Sequence, residues 1–307
     1  AFPDPLWSRG LGDVYKRQLV ARAFVNRVWA MLLGRGIVHP FDEMDSVHEP
    51  SHPELLDYLA LRFVEGGWSM KELLREIVTS ATYRQSSQTD PERLARDPDN
   101  RLFCRGPRFR LEAEMVRYAA LATSGLLSSK MYGKSVMPPQ PEGVWQVVYS
   151  ADKWETSMGE DRYRRGLYTF WRRTSPYPAM MAFDATSREV CTVRRIRTNT
   201  PLAALVTLND PAFIEAAQAL ARDTIAIDAE TTQDEIAYIF RRCLVRPPRE
   251  EEVRSITALY QAAWDHYSND PEAAAKMAAA DHQDTVKLAV WTVIGNMLLN
   301  LDETLTK

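Results

Sequence analysis

Apolar side chains recur at helical spacing along most of the chain. The clearest stripe near the N-terminus consists of Val20, Phe24, Val28 and Leu32. A four-residue interval returns each side chain to the same face of an α-helix, and glycine commonly ends such helices. The pattern therefore predicts a helix over 19–33 that stops at Gly34.

Residues that cap helix N-termini indicate where other helices begin. Ser69 with Glu72 matches the capping box, in which the two side chains bond the free N–H groups of the first turn. The same signature, or a cap residue followed by proline, occurs at Ser51/Glu54, Thr200/Pro201, Asp210/Pro211 and Thr232/Glu235. Helices are predicted to start at these places and to cover 111–121, 250–267 and 283–301.

The stretch from 131 to 158 has a different composition. Glycines and prolines interrupt it, and Trp145, Tyr149 and Trp154 lie between them, which favours an irregular segment packed through its aromatic side chains. Two short β-leaning stretches follow at 167–170 and 190–193, and we expect them to pair as a small sheet. The predicted fold class is mainly α, an irregular multi-helix domain with a small β-leaning, arginine-rich middle segment.

The first eighteen residues do not look like native protein. The string SRGLGDVYKRQ at 8–18 back-translates to a transposase sequencing adapter, and 1–18 lack the apolar stretch of a signal peptide. We therefore expect the adapter to replace the native sequence before Leu19. The remainder divides into an N-terminal helical part (19–130), an irregular aromatic and arginine-rich segment (131–200) and a C-terminal helical part (201–307), which together are expected to form one domain.

Composition and motifs argue against a nucleic-acid-binding, a membrane-spanning and a haem-binding chain. Hydrophobic residues make up 45% of the chain and charged residues 26%, with a net charge of −3, which is close to the globular average. Nothing in this balance indicates nucleic-acid binding, and no apolar run is long enough to span a bilayer. The three cysteines form no CxxCH motif, so we expect no haem and no other cofactor in this chain.

Charge is distributed very unevenly. Segment 162–197 contains nine arginines, no lysine and only two acidic residues, Asp184 and Glu189, a local charge of +7. Arginine is preferred where a planar fork holds a carboxylate or phosphate, or stacks on an aromatic ring. The candidate ligand-binding residues are Arg172, Arg173, Arg188, Arg194, Arg195, Arg197, Trp171 and Asn199.

Two interpretations of this segment stay open at the level of sequence. The arginines could bind an anionic saccharide or an acidic partner, or they could pair internally with carboxylates such as Glu112 and Glu114. An enzyme acting on a sulfated or carboxylated substrate is a further alternative, with Asp184 or Glu189 as the catalytic base.

A second cluster of candidate chemistry lies in the loop 39–52, which holds three of the five histidines. Imidazole and carboxylate are ligands for zinc, iron or manganese, and the candidate ligands are Asp42, Asp45, His48 and His52. Their spacing matches no metal motif. The alternative is a solvated loop in which Ser51 or His52 caps the following helix.

Four strings carry a resemblance to a known family. They are FVNRVWAMLLGRGIV (24–38), the stretch 51–87, the stretch 164–221 that begins RRGLYTFWRR, and AVWTVIGNMLLNLDE (289–303). They resemble the C-terminal domain of unknown function of planctomycete cytochrome-c-like (PSD-type) proteins. The matching motif positions are Arg172, Arg173, Asp184, Arg188, Glu189, Cys191, Arg194, Arg195, Arg197, Asn199, Asn209 and Asp210. Arg249 departs from the pattern, because a Ser or Thr cap is usual there, and so does the loop 39–52.

The resemblance implies a cellular location and neighbouring domains rather than an activity. Family members carry an export signal, so a periplasmic or extracellular location is implied, and often a haem-binding region upstream, so haem c is possible there. No catalytic residue can be carried over from the family. The leading hypothesis is a non-haem accessory domain of an exported redox protein, which docks to upstream domains of the same polypeptide or binds an anionic saccharide through its arginines.

Overall fold

A computed structural model describes residues 6–45, 47–143, 153–279 and 284–306, with side chains from residue 19 onward. The chain is mainly α-helical with almost no β-structure, which confirms the predicted fold class. It divides into two compact units, Ala1–Phe109 and Arg110–Lys307. The predicted divisions at 130 and 200 both fall inside the second unit. None of the described helices is long and apolar enough to cross a membrane.

The first unit is a small helical cluster. Its helices are α1 (Leu6–Leu33), α2 (Pro53–Glu65), α3 (Met70–Thr79) and α4 (Pro91–Arg96). α1 packs on α2 through Phe24, which stacks on Phe63 with ring centroids 5.0 Å apart, whereas Val20 of the predicted stripe is 57% exposed. α1 ends at Leu33 as predicted, and the Gly34 that follows has a φ of +75°, which glycine adopts without steric cost.

The two capping boxes predicted in this unit have different outcomes. Ser69 caps α3 by accepting a hydrogen bond from the Glu72 N–H, as predicted. The Ser51 prediction is wrong, because His52 is the N-cap residue of α2 and makes no side-chain cap. The Ser51 hydroxyl instead donates to the carbonyl of Ile37, which satisfies a carbonyl of the preceding loop.

The second unit contains the remaining helices. They are α5 (Ala113–Thr123), α6 (Pro178–Met181), α7 (Pro201–Asn209), α8 (Pro211–Ala226), α9 (Thr232–Leu244), α10 (Glu250–Asn269), α11 (Pro271–Ala278), α12 (Thr285–Leu299) and α13 (Asp302–Leu305), with short 3-10 helices at Gly159–Tyr163 and Gly166–Tyr168.

Helix α12 forms the centre of this unit and packs against α8, α10 and α11. Trp291, Ile294 and Leu298 of this helix are fully buried. Gly295 lets α8 approach closely, because a Cβ there would lie 3.3 Å from the carbonyl oxygen of Ala217. α12 is apolar and buried on nearly all sides, as expected of a helix in the middle of a core.

Side-chain caps mark several of the helix starts in this unit. Thr200 and Asp210 cap α7 and α8 through their side chains, as predicted. The cap of α9 is Thr231 rather than Thr232, one residue earlier than expected. α10 begins at Glu250 even though Arg249 precedes it, because the Arg249 N–H donates to the carboxylate of Glu252.

The predicted small sheet does not form between 167–170 and 190–193. Thr169 instead makes an isolated parallel bridge with Val136, and the Phe170 N–H donates to the Val136 carbonyl at 2.7 Å. The stretch 190–193 lies in an exposed loop. The irregular course predicted for 131–158 is confirmed where it is described. Trp154 stacks on Tyr177 at 5.7 Å, whereas Trp145 and Tyr149 lie outside the described residues.

One helix end contains a strained residue. Val245, the residue after α9, has a φ of +60° in the left-handed region and is 89% exposed. A β-branched side chain is disfavoured in this conformation, whereas glycine tolerates it.

We expect Val245→Gly to raise the free energy of unfolding by about 1 kcal/mol, because it removes a left-handed strain of roughly that size from a position with few contacts. Urea unfolding followed by circular dichroism measures the change. Val190→Gly is the matched control: Val190 is similarly exposed but is not among the residues with positive φ. Equal effects of the two substitutions would contradict the assignment of strain to Val245.

Candidate functional site

The first arginines of segment 162–197 are bound inside the second unit. Arg162 forms a two-pronged ion pair with Glu215 of α8. Arg164 is 1% exposed, and its guanidinium donates to the carbonyls of Lys130, Tyr132 and Lys134. It also lies 3.6 Å from the ring centroid of Tyr168. These two side chains are therefore structural, because protein groups occupy their forks.

The last arginines of the segment are anchored to the N-terminal end of α5. Arg195 donates to both carboxylate oxygens of Glu114, at 2.5 and 3.1 Å, and lies 3.4 Å from Glu112. Arg197 donates to Glu112 at 3.1 Å. Burial alone would raise the pKa of Glu114, but the hydrogen bonds and charge of Arg195 hold that pKa below its usual value. The carboxylate therefore stays ionised and keeps the loop attached.

The other candidate ligand residues occupy the surface of this segment. Arg188 lies over the ring of Trp171 at 4.8 Å, and the Trp171 indole N–H donates to the Ser187 carbonyl. Arg173 and Arg194 are exposed. Asn199 accepts a hydrogen bond from Arg110 at 2.8 Å. Arg172 and Arg194 also interact with neighbouring groups.

The two candidate catalytic carboxylates have unlike surroundings. The carboxylate of Asp184 accepts hydrogen bonds from the N–H and hydroxyl of Thr198, at 2.7 and 2.8 Å. It thereby closes the base of the loop that spans 186–198. Glu189 is exposed within that loop. The structure therefore gives Asp184 a positioning task in the loop and does not join the two carboxylates to one described cavity.

A buried polar cluster lies beneath the arginine segment, and sequence reasoning missed it. Arg117 of α5 is 6% exposed and donates to the Arg162 carbonyl at 3.0 Å, while its Nε has no hydrogen-bond partner among the described residues. Two cavities of about 10 Å³ adjoin its side chain. The sequence signal that could have identified this buried arginine is helical spacing. Arg117 falls on the apolar stripe that includes Ala113 and Leu121.

Two acidic groups of the cluster titrate abnormally. Burial raises the pKa of Asp210 to about 6, although the Ala212 N–H and the positive charge of Arg117 oppose this shift. Burial also raises the pKa of the Tyr177 hydroxyl, which donates to the Pro139 carbonyl at 2.6 Å. Perturbed pKa values mark functional sites and structural networks alike. The cavities here are too small for a substrate, so the arrangement fits a structural network.

The metal candidates are only partly brought together. The ring of His48 lies between two carboxylates, 2.9 Å from Asp45 Oδ1 and 3.5 Å from a carboxylate oxygen of Glu43. These three residues form a group with ligand-like spacing, in which Glu43 is new to the candidate set. His52 instead bonds the Ser51 hydroxyl, and Asp42 is not part of the group. The His48 ring hydrogen-bonds Asp45 and lies close to Glu43, which accounts for the approach of the three side chains without a metal.

The buried carboxylate predicts a pH effect on stability. The folded protein holds the Asp210 proton up to about pH 6, whereas the unfolded chain releases it near 3.8, the usual pKa of an aspartate. The folded state thus binds more protons between these values, so stability falls as pH rises through this window, by roughly 3 kcal/mol.

We expect Asp210→Asn to remove this decline and to keep the cap of α8, since asparagine also caps helices. The measurement is the free energy of unfolding from pH 4 to 7 for both proteins. Asp97→Asn serves as the opposite control, because backbone hydrogen bonds outweigh burial and lower the pKa of Asp97. An Asp210→Asn protein with the wild-type slope between pH 4 and 6 would refute the effect.

The chain matches one family model over most of its length. The model of PSD1, described as a protein of unknown function (DUF1553), matches residues 15–260. No curated protein and no solved structure matches the chain. The matched region is 246 of the 307 residues, and the chain therefore belongs to the PSD1 (DUF1553) family of proteins of unknown function.

Proposed function

We propose that this chain is a binding domain that docks an acidic protein surface through the loop 186–198 and the start of α7. The observation that carries the proposal is a run of exposed aliphatic side chains there. Val190 is 74% exposed, Val193 54% and Ile196 79%. Leu202 and Leu205 of α7 are also exposed. Such concentrations of exposed apolar residues are typical of interaction sites.

The anchored arginines support a binding role because they hold the loop in place. Asp184 fixes one part of it through Thr198, and Arg195 ties it to Glu114 of α5. A loop held before binding loses less conformational entropy when it docks. The internal ion pairs therefore prepare the surface, and they do not themselves contact the partner.

The charge of segment 162–197 indicates which kind of partner surface would complement it. Segment 162–197 has a net charge of +7, whereas the remainder of the second unit sums to −10. Arg188 and Arg194 lie among the aliphatic residues of the loop and are exposed. Arginine is enriched at protein interfaces, where its stem packs and its head pairs with carboxylates. A partner surface with an apolar centre and an acidic rim complements this loop.

A protein partner fits these residues better than an anionic saccharide. A sulfated or uronic-acid chain needs open guanidinium forks, and carboxylates already occupy those of Arg162 and Arg195. Exposed aliphatic side chains contribute little to binding a polysaccharide anion. The family resemblance suggests upstream domains of the same exported polypeptide as the partner, with haem c as the cofactor of that region.

The test measures binding of the 307-residue chain to a separately expressed upstream domain of a PSD1-family protein, by calorimetry across a salt series. We expect Val190→Ser with Ile196→Ser to weaken binding about tenfold or more, the size of an interface hot spot. Leu102→Ser is the matched control, since Leu102 is 63% exposed in the first unit. Parallel titrations use heparin and polygalacturonate.

Three results would sink the proposal. They are no binding to the upstream domain, equal loss in the Leu102 control, and binding to heparin or polygalacturonate that the serine substitutions leave unchanged. The last result would assign the segment to a saccharide. Salt should weaken binding by the wild-type protein, because Arg188 and Arg194 contribute through exposed charges.

The anchoring of the loop yields a separate prediction. Glu114→Gln removes the charge that binds Arg195, so we expect backbone amides in 188–198 to exchange hydrogen faster, on the order of tenfold. Hydrogen exchange followed by mass spectrometry measures this. Glu250→Gln, on the exposed first turn of α10, should leave the loop unchanged. Unaltered protection in Glu114→Gln would show that other contacts hold the loop.

A further inference from the structure

An open cleft of about 310 Å³ lies in the first unit. Its lining includes Arg35, Arg101, His39, His48, Ser51 and Glu49. We propose that this cleft binds the oxyanion group of a small organic ligand, a phosphorylated, sulfated or carboxylated molecule. This site lies apart from the docking loop in sequence and unit, and it does not depend on the proposed function.

The two arginines supply the charge for such a ligand. Neither Arg35 nor Arg101 forms an ion pair with a described residue, although Arg35 is close enough to Asp97 to lower its pKa. The carboxylate of Asp97 is occupied by backbone N–H groups, accepting from Arg101 and Leu102 at 2.8 Å each. The guanidinium forks at the cleft therefore remain available to an oxyanion, which they match in geometry.

The walls of the cleft are held by buried hydrogen bonds. Asn26 of α1 is fully buried. Its amide donates to the carbonyls of Val38 and Phe41 and accepts from the Val38 N–H. Ser51 bonds the Ile37 carbonyl through both its N–H and its hydroxyl. The loop that carries His39 is thus positioned before any ligand arrives.

The end of a helix adds to the attraction for anions. Helix α2 begins two residues after Ser51, and its N-cap residue His52 provides no side-chain acceptor. The first turn of α2, which follows the cleft residue Ser51 along the chain, therefore has no side-chain cap, and uncapped helix N-termini favour anions, although Glu54 already places a carboxylate in that turn. This feature supports the arginines and would not make a site by itself.

The remaining lining residues indicate an organic ligand rather than an inorganic ion. A cavity of this volume is at the lower end of small-molecule sites and exceeds the space that phosphate needs. The carboxylate of Glu49 can accept a hydrogen bond from a ligand hydroxyl but would repel a bare dianion. Val47, which also lines the cleft, offers apolar contact.

The test is a titration of the ¹⁵N-labelled 307-residue chain with glycerol 3-phosphate, glucose 6-sulfate and glycolate, one hydroxylated organic probe for each class of oxyanion. We expect saturable shifts of the amides of Arg35, His39 and Arg101 with at least one probe. Arg101→Gln should weaken that binding about tenfold, as should Arg35→Gln. Arg75→Gln, an exposed arginine of α3 outside the cleft, should have no effect.

The variants also separate a specific site from general attraction. Arg101→Lys keeps the charge but loses the planar fork, so it should bind more weakly than wild type and more tightly than Arg101→Gln. Thermal unfolding of each variant shows that it folds, and Arg101 is the safer position because its side chain is exposed. Shifts that never saturate, or an equal loss in Arg75→Gln, would overturn the proposal.

Discussion

A segment with nine arginines and two acidic residues can pack onto a protein only if carboxylates elsewhere neutralise part of its charge. The second unit meets this constraint with Glu114 of α5, with Glu112 just before that helix and with Glu215 of α8, which bind Arg195, Arg197 and Arg162 respectively. Arg164 is neutralised in another way, by carbonyl dipoles and the face of Tyr168. An unpaired guanidinium in these positions would carry a large desolvation cost.

The ion pairs inside the protein change the interpretation of the arginines in segment 162–197. The sequence left open whether these arginines bind a ligand or the protein itself, and the structure pairs Arg162, Arg195 and Arg197 with carboxylates of the protein. The ion-paired arginines fix the course of the chain, and Arg188 and Arg194 are exposed in the same loop as Val190 and Ile196, where both also interact with neighbouring groups. A combination of aliphatic side chains and arginine is typical of protein interfaces, so the surplus charge and the exposed apolar residues point to the same kind of partner.

Local chemistry was predictable from sequence, and long-range pairing was not. The caps Ser69, Thr200 and Asp210 bond N–H groups two or three residues away, so their effect is contained in a short stretch of chain. Ser51 failed as a cap because a carbonyl fourteen residues earlier competed for its hydroxyl. The small sheet failed for the same reason, since 167–170 found a partner at Val136 that strand propensity could not identify.

In the candidate sites, too, local contacts were predictable from sequence and long-range contacts were not. Asp45 and His48 are three residues apart and meet as expected, whereas Glu43 joined them through the path of the loop. The sequence named Glu112 and Glu114 as possible partners, but it could not say which arginines they would bind across about eighty residues. The burial of Arg117 depends on α5 lying under the arginine segment, which no local pattern encodes. Only its place on an apolar stripe hinted at a buried charge.

Helix α5 connects these features. Its eleven residues attach the loop 186–198 through Glu114 and reach the start of the arginine segment through Arg117, which bonds the Arg162 carbonyl. Glu114 lies in the first turn of α5, where the helix dipole also favours its negative charge. Both ends of segment 162–197 are therefore attached to α5, which is a single rigid element. A docking surface built on such an element keeps its shape between the free and bound states, and its affinity depends on contacts rather than on the entropy of ordering a loop.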